Sequence, residues 1–404
     1  MLSWEYPPRI IGGIARHVEE IAWALAARGD EVHVVTCEFP GAPAEETFRG
    51  VHIHRVTPYT PVDNFIHWVH QLNAAMRDRA DALLREWTKG RTPVKKRAAQ
   101  NGIILHAHDW LAYFSAVSLK NEHHLPLVAT IHATEYGRNN GINNQTQSYI
   151  NGIEWQLCFE AWRVIVCSEF MKGEVAHALH TPWDKMDVIF NGVEADKFGF
   201  DFPPEEAGPF RAQFAAPEEK LVFFVGRGTH EKGAHILIGA LPKVRAQYHD
   251  AKLIIVGGGN KDHLIRQSNA LGVGRHVFFT GFVPDDTLLR IYKVIDVACF
   301  PSLYEPFGIV ALEAMAAGVP CVVSDAGGLK EVVQHDISGL VTWAGNSDSL
   351  AWGIVRMLKD SGHARWMADN ALRRVHEVFN WDRIAGQTQE TYQRVWSEFR
   401  ASEW

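Results

Sequence analysis

Two glutamates, Glu305 and Glu313, lie eight residues apart with a Pro-Phe-Gly turn between them. A buried strand is predicted at 297–302, and Pro306 biases Glu305 away from helical geometry, so Glu305 is expected in the loop that follows the strand. Carboxylates in such a loop can accept hydrogen bonds from the hydroxyls of a sugar. A glutamate in a helix or before a proline is also often a solvated surface residue, so both interpretations stay open at this point.

The residues after this turn predict a helix over 308–317, and its first N–H groups suit a phosphate. The phosphate would lie beside Phe307 and Gly308, and Glu313 would lie about 7 Å beyond Gly308 along the helix axis. One carboxylate therefore precedes the phosphate-binding turn and the other follows it. This is the layout needed to hold both ends of a sugar–diphosphate–nucleoside.

A second loop, after a predicted strand at 221–226, carries the cations Arg227 and Lys232. A diphosphate leaving group develops negative charge, and fixed cations can neutralise it without a metal. The loop is not a P-loop, since the spacing Gly-x4-Gly-Lys-Ser/Thr is missing. Solvated surface charges are the alternative, but glycine turns at Gly257 and Gly327 also follow strands and are expected at the same edge of one sheet.

The chain begins with a strand at 1–5, the glycines Gly12 and Gly13, an amphipathic helix, and a strand at 31–36. This β–loop–α–β pattern indicates a parallel sheet. The glycines do not follow the order G-x-G-x-x-G, so no dinucleotide fingerprint is present. The pair is either a simple turn or a place where the backbone approaches a ligand closely.

Polar clusters follow two further predicted strands, at 103–108 and 127–132. They contain possible metal ligands, which are His106, His108, Asp109, His132 and Glu135. A metal site is one alternative, although no H-E-x-x-H or Cys-x-x-Cys spacing is present. A hydrogen-bonded structural role for the histidines is another. The amide-rich segment 139–153 is either a polar loop or the lining of an acceptor groove.

Size and composition favour a two-domain globular enzyme. At 404 residues the chain exceeds the size at which a single hydrophobic core stops growing. A net charge of −7 gives no reason to expect nucleic acid or an anionic membrane as a partner. The basic segment 88–98 is interpreted as a solvated loop, and no apolar run is long enough to span a membrane. Fourteen tryptophans exceed what is usual for this length, and such rings fill cores or stack on sugars.

The five cysteines have no paired spacing and are interpreted as reduced thiols of a cytoplasmic protein. A Pro/Glu/Ala-rich segment at 200–219 separates two series of strands and helices. We therefore predict an α/β protein with two Rossmann-like, doubly wound parallel-sheet domains facing a central cleft. The N-terminal domain is predicted at 1–195 and the C-terminal domain at 196–381.

The combination of Gly12-Gly13, the Arg227/Lys232 loop and the two-glutamate motif resembles the retaining nucleotide-sugar glycosyltransferases of GT-B fold, glycosyltransferase family 4. The resemblance covers nearly the whole chain. It implies that the C-terminal domain binds the nucleotide sugar and that a crossover helix at 382–404 belongs to the N-terminal domain. Within this superfamily, the clusters at 106–110 and 130–132 resemble glycogen and starch synthases. Those enzymes often carry a lysine two residues before the glycine pair, where this chain has Ile10 with Arg9 beside it.

The resemblance implies a role for each site residue. Arg227 and Lys232 would bind the diphosphate and stabilise it as it leaves. Glu305 would hold the hydroxyls of the donor sugar, Glu313 would hold the ribose, and Phe307, Gly308 and Ile309 would bind phosphate through N–H groups. The glycine pair would contact the donor, His132 would contact the 6-hydroxyl of the sugar, and Asp109 would line the acceptor side. The family retains configuration by front-face attack, so no enzymic nucleophile is expected. No metal or other cofactor is expected either, because the sequence has no Asp-x-Asp motif for a divalent cation.

The leading hypothesis is therefore transfer of glucose from ADP- or UDP-glucose to an α-1,4-glucan or maltooligosaccharide. A second hypothesis keeps the donor but changes the acceptor to a small sugar, a sugar phosphate (trehalose- or sucrose-type synthases) or a lipid. A glycosidase would use two carboxylates but has no need for Arg227, Lys232 or the glycine turns. A non-catalytic protein that binds sugar nucleotides or glucans is the alternative from another class. The sequence leaves the nucleotide base and the oligomeric state open.

Overall fold

The computed structural model describes residues 1–61, 63–87, 102–402 and 404. Its contacts divide the chain into two compact units. The N-terminal unit comprises Met1–Asn191 and Trp381–Trp404, and the C-terminal unit comprises Gly192–Asn380. The sequence had placed the same two boundaries at 195/196 and 381/382. The basic segment 88–98 lies outside the described residues.

Seven strands lie in the described residues of the N-terminal unit. They are β1 (Val32–Cys37), β2 (Glu45–Phe48), β3 (Val51–Val56), β4 (Leu105–His108), β5 (Leu127–Ile131), β6 (Arg163–Val166) and β7 (Met186–Val188). Their order is β2-β3-β1 in one group and β4-β5-β6-β7 in the other. All neighbours pair in parallel except β2, which pairs antiparallel with β3 and was not predicted.

The first residues of the chain join these two groups of strands. The Leu2 N–H donates to the His106 carbonyl at 2.8 Å, and the Ser3 N–H donates to the Val35 carbonyl at 3.2 Å. Leu2 bridges both Val35 of β1 and Ala107 of β4 in parallel. The predicted strand 1–5 is therefore reduced to a bridge at one residue, because Tyr6-Pro7-Pro8 turns the chain away and offers few donors.

The helices of the N-terminal unit cover this sheet. They are α1 (Gly13–Ala27), α2 (Phe65–Trp87), α3 (Tyr113–His123), α4 (Glu135–Arg138), α5 (Gln145–Glu160), α6 (Glu169–Ala178) and, from the end of the chain, α15 (Trp381–Ala401). Helix α1 buries Val18, Ile21 and Leu25 at helical spacing, as the sequence predicted. Ile384 and Val395 of α15 join the same core, so the last helix is part of the N-terminal unit.

The C-terminal unit is built on a six-stranded, entirely parallel sheet. Its strands are β8 (Lys220–Val225), β9 (Ala251–Val256), β10 (Val277–Gly281), β11 (Val297–Phe300), β12 (Cys321–Ser324) and β13 (Leu340–Thr342). The order β10-β9-β8-β11-β12-β13 runs outward in both directions from the β8/β11 pair. In a doubly wound sheet this reversal of direction is the place where ligands bind, at the carboxyl ends of the strands.

Helices flank this second sheet. They are α7 (Pro204–Arg211), α8 (Ala234–Gln247), α9 (Asp262–Ala270), α10 (Asp285–Val294), α11 (Ile309–Ala316), α12 (Leu329–Val332), α13 (Ser347–Lys359) and α14 (Ser361–Val378). Strands β8, β9 and β11 are nearly continuous runs of buried apolar residues. Such runs are typical of parallel strands that are covered on both faces.

Two segments that were predicted as irregular contain helices. The amide-rich segment 139–153 is a loop only up to Asn144, whose side-chain oxygen accepts from the Gln147 N–H at 2.9 Å and begins α5. Ile150 and Ile153 then bury one face of this helix, so the second half of the segment is not a loop. The segment 200–219 likewise contains α7. In the described part of the chain, no helix is long and apolar enough to cross a membrane.

Candidate functional site

The loops after β8 and β11 meet at the carboxyl edge of the C-terminal sheet, because these strands are neighbours. The Lys232 ammonium lies 2.8 Å from Glu305 Oε2, although the residues are 73 positions apart in the chain. Ser302 Oγ donates to the same carboxylate oxygen at 3.3 Å. The predicted cation loop and the first predicted glutamate therefore form one cluster.

Glu305 is held by its backbone as well as by its side chain. Its carbonyl accepts the Gly328 N–H at 2.9 Å. A Cβ at Gly328 would lie 2.4 Å from the Pro306 carbonyl oxygen, so only glycine allows this approach. The glycine turn after β12 thus supports the Glu305 loop, which explains the recurrence of glycines at this sheet edge. Glu305 itself is 7% exposed and is not a solvated loop residue.

Helix α11 begins directly behind this loop. Gly308 precedes it with φ +115°, and Ile309 is its first residue. The first N–H groups of an α-helix lack intrahelical acceptors, so this end of α11 favours an anion. Phe307 is buried and packs edge-to-face on Phe379 at 6.0 Å, which fixes the start of the turn.

Glu313 lies within α11 and is 8% exposed, so it too is not a solvated surface residue. The Tyr292 hydroxyl donates to Glu313 Oε2 at 3.1 Å. Tyr292 comes from α10 and was not singled out from the sequence. The two oxygens of a carboxylate are hydrogen-bond acceptors, which is the chemistry that binds vicinal hydroxyls.

Arg227 is the most exposed of the predicted donor-site residues. Its side chain is 60% exposed and lies 3.5 Å from Glu231 Oε1, one turn along the same loop. The Glu231 carbonyl in turn accepts the Leu303 N–H at 2.7 Å, which ties the β8 loop to the β11 loop. Arg227 can therefore reorient toward a ligand, whereas Lys232 is already fixed.

In the N-terminal unit, the glycine loop is organised by a buried glutamate. Glu5 Oε2 accepts the N–H groups of Ile11 at 2.6 Å and of Gly12 at 3.0 Å. Burial raises the pKa of Glu5, and these two hydrogen bonds counter that effect. Gly12 thus donates inward to Glu5, and Gly13 is the first residue of α1. This role of Glu5 was not predicted from the sequence.

Arg9 has a defined position beside this loop. Its guanidinium lies over the rings of Trp4, at 5.8 Å, and of Trp68, at 5.4 Å. Such stacking stabilises the cation on aromatic faces. Arg9, the neighbour of Ile10, therefore packs on two tryptophans of the same unit.

The polar clusters after β4 and β5 form a buried histidine group. His108 Nδ1 lies 3.2 Å from His132 Nε2, and the His17 ring lies 4.7 Å from the His132 ring. His17, which comes from α1, was not predicted. His106 has different hydrogen-bond partners, because its two ring nitrogens contact the Tyr392 hydroxyl and Thr130 Oγ1.

Fewer residues could therefore bind a metal ion together than the sequence indicated. Within the described residues, His17, His108 and His132 offer ligand atoms that all lie within 4.8 Å of one another, whereas His106, Asp109 and Glu135 do not join this group. Because a hydrogen bond already joins His108 and His132, an ion would have to displace the proton that they share.

Asp109 acts on His132 through the backbone. It is 1% exposed, has φ +59°, and accepts the His132 N–H on Oδ1 at 2.7 Å. Positive φ in a non-glycine residue is strained and is maintained only where the surroundings enforce it. Burial raises the pKa of Asp109 to about 6, and Arg138, 3.8 Å away, opposes this shift.

Glu154 of α5 holds the next residues of the same loop. Its two carboxylate oxygens accept the Glu135 N–H at 2.9 and 3.1 Å. Burial raises the pKa of Glu154 to about 8. Two buried carboxyls, Asp109 and Glu154, therefore fix the loop that carries His132.

Comparison with known proteins identifies the kind of enzyme that carries these residues. The model for "Glycosyltransferase Family 4" matches residues 11–197, and that for "Glycosyl transferases group 1" matches residues 209–374. An uncharacterised glycosyltransferase of Methanocaldococcus jannaschii is 39% identical over 97% of both chains. This chain belongs to the family 4, group 1 glycosyltransferases.

Two further proteins are similar to this glycosyltransferase over nearly its whole length. A glycogen synthase of Mycobacterium tuberculosis is 33% identical over 97% of this chain and 93% of that protein. The structure of a sucrose-phosphate synthase from Thermosynechococcus elongatus is similar with a TM-score of 0.79, at 25% identity over 99% and 98% of the two chains. The GT-B fold expected from the sequence is confirmed by this likeness.

The buried histidines of this glycosyltransferase predict loss of stability in mild acid. Burial lowers the pKa of His132 from 6.5 to about 3, and it lowers the pKa values of His17 and His108 well below 6.5. At these three histidines the unfolded chain binds more protons than the native state, so their contribution to stability is complete above pH 6.5 and falls as the pH drops toward 3. Asp109 and Glu154, whose pKa values are raised, contribute in the opposite direction over part of this range, so the histidine contribution is read from the difference between variant and wild type. The expected loss is about 1.4 kcal/mol per pH unit for each histidine.

Thermal unfolding measured between pH 7.5 and 5 checks this expectation. His108→Gln should be less stable at pH 7.5 but should lose less stability over the same interval. His249→Gln removes a histidine whose side chain is 85% exposed, and it should follow the wild-type curve. Equal pH slopes for all three proteins would contradict the assignment.

Proposed function

We propose that this glycosyltransferase transfers glucose from ADP- or UDP-glucose to an α-1,4-glucan or maltooligosaccharide with retention of configuration. The observation that carries the proposal is the Lys232–Glu305 contact at the β8/β11 junction. It brings a cation for the diphosphate beside a carboxylate for the sugar. A glycosidase has no need for that pairing.

The donor is proposed to lie along the carboxyl edge of the C-terminal sheet. An ammonium has three donors, and Glu305 takes only one of those of Lys232, so the others can reach the diphosphate. Arg227 adds a second, mobile cation, and the start of α11 at Gly308 and Ile309 adds N–H donors. Glu313 would accept the ribose hydroxyls beside Tyr292.

His132 of the N-terminal unit is proposed to contact the 6-hydroxyl of the donor sugar. Because its pKa is lowered to about 3, the ring is neutral at physiological pH and can accept or donate one hydrogen bond. Asp109 is then a positioning residue for His132, since it is buried and bonds its backbone N–H. Gly12 and Gly13 would let the donor approach the backbone of the loop that Glu5 holds.

The glucan acceptor is favoured by the relative named glycogen synthase, which is 33% identical over nearly the whole chain. A second candidate keeps the donor and uses a sugar phosphate as acceptor. It is favoured by the structural likeness to a sucrose-phosphate synthase.

A matrix of donors and acceptors tests these proposals. ADP-glucose and UDP-glucose are each combined with maltoheptaose, glucose, glucose 6-phosphate and fructose 6-phosphate, and nucleotide release and products are measured. Elongated maltooligosaccharides that an α-1,4-specific glucosidase degrades would support the first proposal, including retention. Transfer to a sugar phosphate alone would replace it with the second, and no transfer to any acceptor would favour a binding protein.

Treatment with EDTA is expected to leave the transfer rate essentially unchanged. The proposed charge neutralisation uses Arg227, Lys232 and the start of α11, and no step needs a divalent cation. Initial rates are compared before treatment, after EDTA, and after re-addition of Mg²⁺ or Mn²⁺. A complete loss that added metal restores would overturn the metal-free proposal.

A further inference from the structure

Two exposed tryptophans lie on the outer helices of the C-terminal unit, remote in sequence from all proposed donor residues. Trp352 of α13 is 47% exposed and Trp366 of α14 is 49% exposed. A single exposed aromatic side chain is common on protein surfaces, whereas several that share one rigid surface can form a binding site.

One carboxylate connects the two helices between these rings. Asp336 Oδ1 lies 2.7 Å from an Arg356 guanidinium nitrogen and 2.9 Å from His363 Nε2. Arg356 is four residues from Trp352, and His363 is three residues from Trp366, so each shares a helix face with its tryptophan. The residues therefore form one surface, here called the indole platform, which consists of His335, Asp336, Trp352, Arg356, His363 and Trp366.

The rings of the platform are held in place by stacking. The His363 ring stacks on Trp366 at 5.3 Å with an interplanar angle of 18°, and the His335 ring stacks on Trp352 at 6.5 Å with 20°. The Arg356 guanidinium lies 5.6 Å from the Trp352 ring centroid. His335 is itself fixed, because its Nδ1 accepts the Val341 N–H at 3.0 Å. Preformed rings lose little entropy when a ligand stacks on them.

The charges of the platform compensate one another. Asp336 pairs with Arg356 and contacts His363, and its pKa is lowered, chiefly by the hydrogen bond from His363. The paired groups keep free hydrogen-bonding positions, since their side chains are 44%, 32% and 30% exposed. A surface of flat rings and polar groups without an excess charge is complementary to a neutral, polyhydroxylated ligand. An anionic membrane would instead require an excess of cations.

We propose that the indole platform is a second carbohydrate-binding site, which takes an α-glucan chain and holds the polymer on the enzyme apart from the donor site. This inference rests on the proposed function for the identity of the sugar. The pyranose rings of the glucan stack on Trp352 and Trp366, while hydroxyls bond to Asp336, Arg356 and His363. Long glucans gain from the platform, whereas short acceptors do not reach it.

The test measures glycogen binding and the kinetics of transfer to glycogen and to maltotetraose. It compares the full-length wild type, the double variant Trp352→Ala/Trp366→Ala, and Trp183→Ala. Trp183 is 56% exposed and lies in the N-terminal unit, so it is the matched control. The double variant should bind glycogen about tenfold more weakly in affinity electrophoresis and show a higher KM for glycogen. Its kcat and KM for maltotetraose should equal those of the wild type. Because neither the platform nor the glucan carries an excess charge that salt could screen, added salt should leave glycogen binding unchanged.

Each other outcome has a definite meaning. Equal glycogen binding by the double variant, in an enzyme that still elongates glucans, overturns the platform and leaves the proposed function standing. A wild type that neither elongates nor binds glucans overturns both. Self-association of the wild type that the double variant loses in sedimentation velocity, or binding of the wild type to phosphatidylglycerol vesicles that the double variant loses, also overturns the proposal in favour of those occupants.

Discussion

Lys232→Ala is expected to lower the transfer rate by about 100-fold or more while the protein remains folded. The ammonium is the fixed cation of the proposed donor site, and it also pairs with the Glu305 carboxylate at 2.8 Å. The substitution removes the charge that would stabilise the leaving diphosphate, and it frees Glu305 from its orientation. Both effects act on the same transition state, so the loss should appear mainly in kcat.

A control variant shows whether the loss of activity is specific to Lys232 or follows the removal of any lysine–carboxylate ion pair. Lys243 of the same unit pairs with Asp348 at 2.6 Å, and its side chain is 41% exposed. Lys243→Ala should retain wild-type activity. Rates with the best donor and acceptor, circular dichroism and thermal unfolding are measured for both variants. If folded Lys232→Ala turned over as fast as the wild type, the phosphate assignment would be wrong.

Gly233→Ala is expected to destabilise the protein by about 3–5 kcal/mol and to abolish most activity. Gly233 has φ +74°, and a Cβ there would lie 1.9 Å from the Pro301 carbonyl oxygen and 2.7 Å from its carbon. These atoms belong to the backbone at the end of β11 and cannot rotate away. The added methyl group would push the Lys232 loop away from the loop that carries Glu305.

A glycine with the same backbone conformation supplies the control. Gly272 has φ +70°, and a Cβ there would meet nothing within 4 Å. Gly272→Ala therefore isolates the cost of the left-handed conformation, about 1–2 kcal/mol. Denaturant unfolding of both variants measures the difference. Equal destabilisation would show that contact with the β11 backbone is not what requires glycine at position 233.

The local sequence predicted most elements of this protein because apolar periodicity and glycine positions are local properties. Helix α11 was predicted at 308–317 and observed at Ile309–Ala316, and strand β8 was predicted at 221–226 and observed at Lys220–Val225. The helix at 145–160 was not predicted, because its amide side chains obscure the helical spacing of Ile150 and Ile153. Helix α5 buries these two residues against neighbouring helices. Tertiary burial decided that helix, not local composition.

The sequence also predicted which candidate site residues of the C-terminal unit lie together. Parallel strands deliver their following loops to one edge, so Arg227, Lys232 and Glu305 were expected there together. What the sequence could not supply is the lateral order of the strands. Strand β8 adjoins β11 although β9 and β10 intervene in the chain, and only this order places Lys232 against Glu305.

In the N-terminal unit, too, the sequence predicted some of the site residues, and the tertiary structure revealed others. His132 and Asp109 were found from their positions after strands, but His17, Glu5 and Glu154 were not assigned roles. Each of these acts across the fold, where Glu5 binds the Ile11 and Gly12 N–H groups and Glu154 binds the Glu135 N–H. Local pattern determined most elements of this protein and predicted its candidate site residues. The tertiary structure decided their partners, because burial and hydrogen bonding join residues that are distant in the chain.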